Sequence, residues 1–257
     1  MRNYFIFNGI DSRDYGIWIL SKNSYDTPKK NLTFISVPGR NGDIVIDNGS
    51  YSNIDISYKV RIEVEKLRLF NPNLDFAYWL DELKDLFYPL IGNYYELEDS
   101  YNPNYYRLAC FTGDMSFTVK NKSLEFIDTT FSFSCKPYRY RQDGKDEIEI
   151  TGSYTNTIKN PELYVSLPLI EINKGSSNTS QVTINGQSYY FLFSNVEIDK
   201  VMIDSESQIV YNGTTNYYKQ YIPPSQLIFP QLSAGNNIVV KSSGAGVVKI
   251  IPRWRRI

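Results

Sequence analysis

Apolar and polar residues alternate most regularly over Ile54-Asp55-Ile56-Ser57-Tyr58-Lys59-Val60-Arg61-Ile62-Glu63-Val64, which predicts a strand with one buried and one wetted face. Just before it, Leu32, Phe34, Ile35 and Val37 form one β-prone run, and Ile44 and Ile46, alternating with Val45 and Asp47, form another. Between them lies Val37-Pro38-Gly39-Arg40-Asn41-Gly42-Asp43, a concentrated turn signal. Pro38 fixes φ, the glycines accept positive φ, and Asn41-Gly42 suits the tip of a tight hairpin. By itself such a turn is most often only a connection.

The N-terminus reads as two short strands, Tyr4 to Phe7 and Tyr15 to Leu20, joined by a turn at Asn8-Gly9. One stretch has helical spacing: Phe76, Trp79, Leu80, Leu83 and Phe87 share a face, while Asp75, Asp81, Glu82, Lys84 and Asp85 fill the rest. This predicts a helix from Asn71-Pro72 to about Tyr88, closed by Pro89 and Gly92 and lying against a sheet. Strands resume at Tyr94–Leu97, Tyr105–Phe111, Ser123–Ile127 and Thr130–Cys135. The polar segment Arg139 to Glu147 is the best boundary, giving a first domain over 1–138 and a second over 139–257. In the second, Leu169–Ile172, Gln181–Ile184, Tyr189–Phe193, Val196–Ile203, Gln208–Tyr211, Asn237–Val240 and Val247–Ile251 are short β-prone runs. Asn185-Gly186 and Asn212-Gly213 mark hairpins there, and the pattern predicts an antiparallel sandwich or jelly roll.

Composition agrees with a mainly β chain: 22 of the 257 residues are tyrosine and 14 are phenylalanine. The net charge of −1 offers no field for a polyanion, so bulk nucleic-acid binding is not expected. No stretch approaches the length of a membrane helix, and the N-terminal apolar run is too short for a signal peptide; the reading is a soluble protein made in a cytoplasm. Cys110 and Cys135 sit in strand-like runs without metal-ligand spacing and read as small buried hydrophobes.

The absence of histidine removes the usual nucleophilic triads, His-ligated metals and the commonest general base. No Walker loop or dinucleotide fingerprint is present, and no cofactor is expected. A glycosidase needs only paired carboxylates, and Glu171, Glu197, Asp199 and Asp204 are candidates, though solvated strand ends explain them better. Asp47, Asn53 and Asp55 lack calcium-loop spacing, so no metal is expected. The segment Arg253-Trp254-Arg255-Arg256 reads equally as a partner-docking point or as a last strand with solvated arginines.

The order of these features resembles the distal tail protein (Dit) family of long non-contractile-tailed bacteriophages. The resemblance is carried by Phe7-Asn8-Gly9-Ile10-Asp11-Ser12 with Tyr15-Gly16-Ile17, Val37 through Asp43, Tyr51-Ser52-Asn53, the single helix, Tyr106-Arg107-Leu108 and Phe133 through Arg139. In the second part it is carried by Ile203-Asp204, Val210-Tyr211, Phe229 through Leu232, Gly235-Asn236-Asn237 and Trp254-Arg255. It implies a β-sandwich-like first domain with one α-helix that builds a six-membered ring, followed by a galectin-like or carbohydrate-module-like antiparallel β-sandwich.

The implied role is a non-enzymatic hub in the virion's distal tail tip, a homohexamer with a central channel. Its implied partners are the tail tube protein, the tape measure protein and the tail-tip protein, with receptor-binding proteins as a further open partner. The alternative is a carbohydrate-binding module that contacts host cell-wall polysaccharide. Within this frame Pro38, Gly39, Arg40, Asn41 and Gly42 are expected at a subunit contact or channel wall, and Arg253, Trp254 and Arg255 at a docking point.

Overall fold

The computed structural model describes residues 2–23, 27–63, 76–113, 115, 117–119, 126–194, 196–225 and 228–257. They fall into two compact units, Met1–Arg139 together with Ile257, and Tyr140–Arg256.

In chain order the first unit contains β1 (Phe5–Phe7), β2 (Ile10–Asp11), β3 (Ile17–Lys22), β4 (Lys30–Ile35), β5 (Ile44–Tyr51), β6 (Ile54–Glu63) and α1 (Phe76–Phe87). These are followed by β7 (Tyr95–Asp99), β8 (Tyr105–Phe111), β9 (Thr118–Val119) and β10 (Phe126–Arg141). The main sheet runs β2-β1-β7-β8-β10-β6-β3, with β9 also pairing with β10. A bridge between Asn3 and Ile19, in which the Ile19 N–H donates to the Asn3 carbonyl at 2.8 Å, links the chain entering β1 to β3 at the far end of the sheet. The sheet therefore curls on itself around a core that includes Phe5, Phe7, Tyr58, Phe111, Phe131 and Phe133. Each such ring contributes about 2 kcal/mol through burial.

The alternation over Ile54 to Glu63 is realised in β6, whose odd and even positions separate into buried and wetter faces. Asn8 (φ 49°) and Gly9 (φ 77°) form the two-residue turn between β1 and β2, where Phe7 pairs with Ile10. The predicted start of the helix at Asn71-Pro72 lies outside the described residues, as do the side chains of Phe76 and Trp79. From Phe76 onward the expected face is present: Leu83 and Phe87 are fully buried, Leu80 packs beside them, and Asp81, Glu82, Lys84 and Asp85 are exposed.

The two strands expected over Ser123–Ile127 and Thr130–Cys135 are one, β10, described from Phe126 to Arg141. The polar pair Asp128-Thr129 resembles a turn in sequence but keeps the period of two. Asp128 faces outward to take a two-point hydrogen bond from Arg61 of β6, at 2.8 and 3.2 Å, and Thr129 faces inward at 6% exposure.

The second unit contains β11 (Ile148–Ile150), β12 (Asn156–Asn160), β13 (Leu169–Asn173), β14 (Thr179–Ile184), β15 (Gln187–Leu192) and β16 (Lys200–Asp204). It continues with β17 (Ile209–Asn212), β18 (Thr215–Asn216), β19 (Tyr221–Ile222), β20 (Gly235–Lys241), β21 (Val248–Ile251) and β22 (Arg255–Arg256). Two antiparallel sheets, β11-β21-β13-β16-β17-β18 and β12-β20-β14-β15-β19, contribute to one shared core. This is a β-sandwich. Asn185 (φ 49°) and Gly186 (φ 81°) form the two-residue turn between β14 and β15, as the Asn-Gly pair predicts. At the other pair, Asn212 stays in β17 opposite Thr215, so Gly213 and Thr214 make the turn. The strand expected over Val196–Ile203 begins only at Lys200.

Candidate functional site

The strands β4 and β5 form a two-stranded sheet of their own. Ile35 pairs with Ile44, Phe34 with Val45, Thr33 with Ile46 and Leu32 with Asp47. Because successive side chains point to opposite faces, Leu32, Phe34 and Val45 line one face and Ile35, Ile44 and Ile46 the other. Every one of these apolar residues is exposed, Phe34 most of all at 60%. A strand that is apolar on both faces is the pattern of an element covered on both sides, which the described residues do not provide here. An isolated two-stranded ribbon is also marginal in water.

Polar contacts at the base hold the ribbon in register. Lys30 and Asp47 form an ion pair, Asn31 donates to Ser50 Oγ at 2.9 Å, and Ser52 Oγ donates to Asn31 at 2.8 Å. The Lys30 ammonium holds the Asp47 carboxyl below its ordinary range, aided by the Gly49 N–H. At the tip, the Arg40 N–H donates to the Val37 carbonyl at 3.1 Å across Pro38 and Gly39 (φ 80°), the arrangement of a type II turn.

The loop between the strands spans residues 36–43, so Asn41-Gly42 is not the two-residue hairpin tip that its sequence suggests. The Pro-Gly turn competes successfully because Pro38 presets φ and Gly39 accepts the positive φ of the next position. Pro38, Gly39, Arg40, Asn41 and Gly42 are all exposed, and the Arg40 guanidinium makes no hydrogen bond, ion pair or ring contact among the described residues.

At the other predicted site the three residues diverge. Trp254 is 5% exposed and belongs to the core of the second unit. Arg253 adopts φ 54°, donates its N–H to the Gly144 carbonyl at 2.9 Å, and clamps Asp204 with two hydrogen bonds of 2.7 and 3.2 Å. Arg255 Nε donates to the Val165 carbonyl at 2.7 Å. The indole is therefore a packing group, and the flanking arginines secure the last turn of chain to the sandwich.

The carboxylates considered for catalysis are dispersed in role. Glu171 accepts from Lys200 at 2.9 Å, Asp204 is held by Arg253, and Glu197 and Asp199 are exposed. Among the described residues no group of three or more acidic or cysteine side chains is placed to hold a metal. Cys110 and Cys135 are free thiols, and burial pushes the Cys135 thiol up to about 12, which keeps it protonated and inert.

No family profile and no curated protein matches this sequence. Solved structures do. The crystal structure of SPP1 Dit, described as a paradigm of the hub adsorption apparatus in phages infecting Gram-positive bacteria, aligns over 100% of both chains with a TM-score of 0.69 at 13% identity. The fold is that of a distal tail protein. Two structures of the phage p2 baseplate in its activated conformation, one with strontium and one with calcium, match the whole chain and 98% of theirs. Their TM-scores are 0.51 and 0.50, at 11% and 12% identity.

Within the Dit fold, the sequence located both strands of the hairpin but not the exposure of their faces, and it set the tip at Asn41-Gly42. The available signal was that Phe34-Ile35 and Ile44-Val45-Ile46 leave neither face of a paired ribbon polar. The structure also brings together Arg107 and Arg139, which the sequence reading quoted only as part of longer runs.

Proposed function

We propose that this protein is a structural hub of a phage tail tip, in which six copies close into a ring around a central channel, with no catalytic step. The observation that carries the reading is the β4–β5 ribbon, apolar on both faces and exposed, on a chain whose full length follows the Dit fold. Apolar side chains on a paired ribbon lose free energy in water, and a neighbouring copy can cover both faces at once. Repetition of one head-to-tail contact closes a ring when the rotation per copy divides the circle. The tip residues Pro38 to Gly42 then reach the next subunit or the channel, with Arg40 as the polar contact.

In this reading the ring joins the tail tube to the tip of the virion. Its neighbours are the tail tube protein, the tape measure protein, the tail-tip protein and receptor-binding proteins. Light scattering of the purified chain, with negative-stain imaging, tests it. Hexameric rings with an open centre are expected, and a strict monomer at high concentration overturns it.

A further inference from the structure

Five Asn-Gly pairs occur along the chain: Asn8-Gly9, Asn41-Gly42, Asn48-Gly49, Asn185-Gly186 and Asn212-Gly213. Each carries the same latent reaction, because the glycine nitrogen next in the chain can attack the asparagine side-chain carbonyl, and glycine has no Cβ to hinder the approach. Two conditions decide whether the reaction runs. The side-chain amide must be free to swing, and the backbone must be free to turn the glycine nitrogen back onto it.

Four of the pairs are held. Asn185 is pinned at both ends of its amide, donating from Nδ2 to Asn237 Oδ1 at 2.8 Å and accepting the Ile238 N–H at 2.9 Å. Asn48 donates to Thr33 Oγ1 at 3.0 Å, and the nitrogen that would attack it, that of Gly49, donates its hydrogen to Asp47 Oδ1 at 2.9 Å. Asn8 occupies a two-residue turn with φ 49°, closed by the pairing of Phe7 with Ile10 and by its own N–H on the Glu96 carbonyl at 2.9 Å. Asn212 lies in the β17 ladder opposite Thr215. The fifth pair has no such hold. Asn41 and Gly42 lie in the exposed 36–43 loop, outside both strands of the ribbon, and neither makes a hydrogen bond among the described residues. By taking over the reversal at the tip, the Pro38-Gly39 turn leaves Asn41-Gly42 outside any closed turn.

We propose that Asn41 is a site of spontaneous deamidation that reacts ahead of the other four pairs. The Gly42 nitrogen gives its proton to solvent base and attacks Asn41 Cγ; a C–N bond forms, the Cγ–Nδ2 bond breaks, and ammonia leaves. Water then opens the cyclic imide at either carbonyl, giving aspartate or isoaspartate. Both products place a carboxylate beside Arg40, and isoaspartate also lengthens the main chain by one carbon. One consequence rests on the ring reading above: a covered tip is shielded, so free chains age at Asn41 and lose their hold on a neighbour while assembled chains do not.

The test is ageing of the full chain in mildly alkaline buffer, with and without urea, followed by digestion and mass spectrometry of the five Asn-Gly peptides. In the native chain Asn41 should react about tenfold or more faster than any held pair, since each of those must first break one or more hydrogen bonds. In urea the five rates should draw together. A different leading pair, or the same order and spread in urea, would overturn the site. Asn41→Gln should remove the fast release of ammonia and leave the other four rates unchanged; fast release that persists would overturn it as well. Sedimentation of rings from free chains before digestion tests the shielding. Modified Asn41 should be concentrated in the free fraction, and equal ageing in both fractions would overturn that consequence. If no rings form, the hub reading and the shielding fail together, while the comparison of the five pairs still decides the site.

Discussion

Phe34 and Val45 face each other across the β4–β5 ladder, and each leaves more than half of its surface in water, 60% and 55%. This pair is the largest apolar exposure of the ribbon. Charging it, with Phe34→Lys and Val45→Asp in one chain, should disperse the ring to monomers. The same change should shift monomer stability by no more than about 0.5 kcal/mol, as is usual for exposed positions. Light scattering paired with a melting curve separates the two readouts; an intact ring would mean that another surface holds it.

Arg40 should act on assembly alone. Its guanidinium makes no hydrogen bond, ion pair or ring contact among the described residues, so Arg40→Ala is expected to leave Tm unchanged and to raise the protein concentration needed for ring formation. A dilution series followed by sedimentation checks this. Unaltered assembly would return the loop to a simple connection.

Gly144 tests the last turn of the second unit. A Cβ built there lies 2.6 Å from the Trp254 backbone nitrogen, and the next nearest atoms, both 3.4 Å away, are Arg253 backbone rather than a flexible side chain. Gly144→Ala should therefore cost about 1–3 kcal/mol, the range for overpacked interiors. The urea midpoint should fall with an unchanged slope. A neutral result would show that the Arg253–Trp254 segment can move away.

Asp204 predicts the acid limb of stability. Burial alone would raise its pKa, but the hydrogen bonds from Arg253 and from the Ser207 and Glu206 N–H groups overcome that and hold it below the ordinary aspartate value of 3.8. A folded value below the unfolded one means that the stabilisation is fully present above the unfolded value and drains away as pH falls through the folded value. Asp204→Asn should cost about 2 kcal/mol at neutral pH. Its penalty relative to wild type should shrink below pH 3.8, as urea unfolding at neutral and acid pH can show. A pH-independent difference would assign the loss to geometry rather than to charge.

Local pattern alone determined a large share of this architecture. The alternation in β6, the Asn8-Gly9 and Asn185-Gly186 turns, and the buried face of α1 at Leu83 and Phe87 follow from periods and φ preferences that act within a few residues. The expected mainly β class follows from the same local rules, and the resemblance drawn from the order of short motifs agrees with the solved Dit structure. Where an expected turn failed, either a distant partner or a stronger local signal decided. Asp128-Thr129 stays in a continuous strand because Arg61 waits across the sheet, and the Pro38-Gly39 turn displaces Asn41-Gly42 as the tip.

What the sequence could not show is which polar and apolar residues end on the wrong side of the usual division. Trp254, read evenly as part of a docking point or of a last strand, is enclosed by the sandwich, whereas Phe34 and Val45 of the two β-prone runs stand in water. Arg107 and Arg139 share one inward-facing end only because β8 and β10 are neighbours in the sheet, although β9 lies between them along the chain. Burial and charge proximity are properties of the folded arrangement, summed over strands far apart in sequence. Periodicity fixes which face a residue takes on its own strand, and only the pairing of strands decides what that face meets.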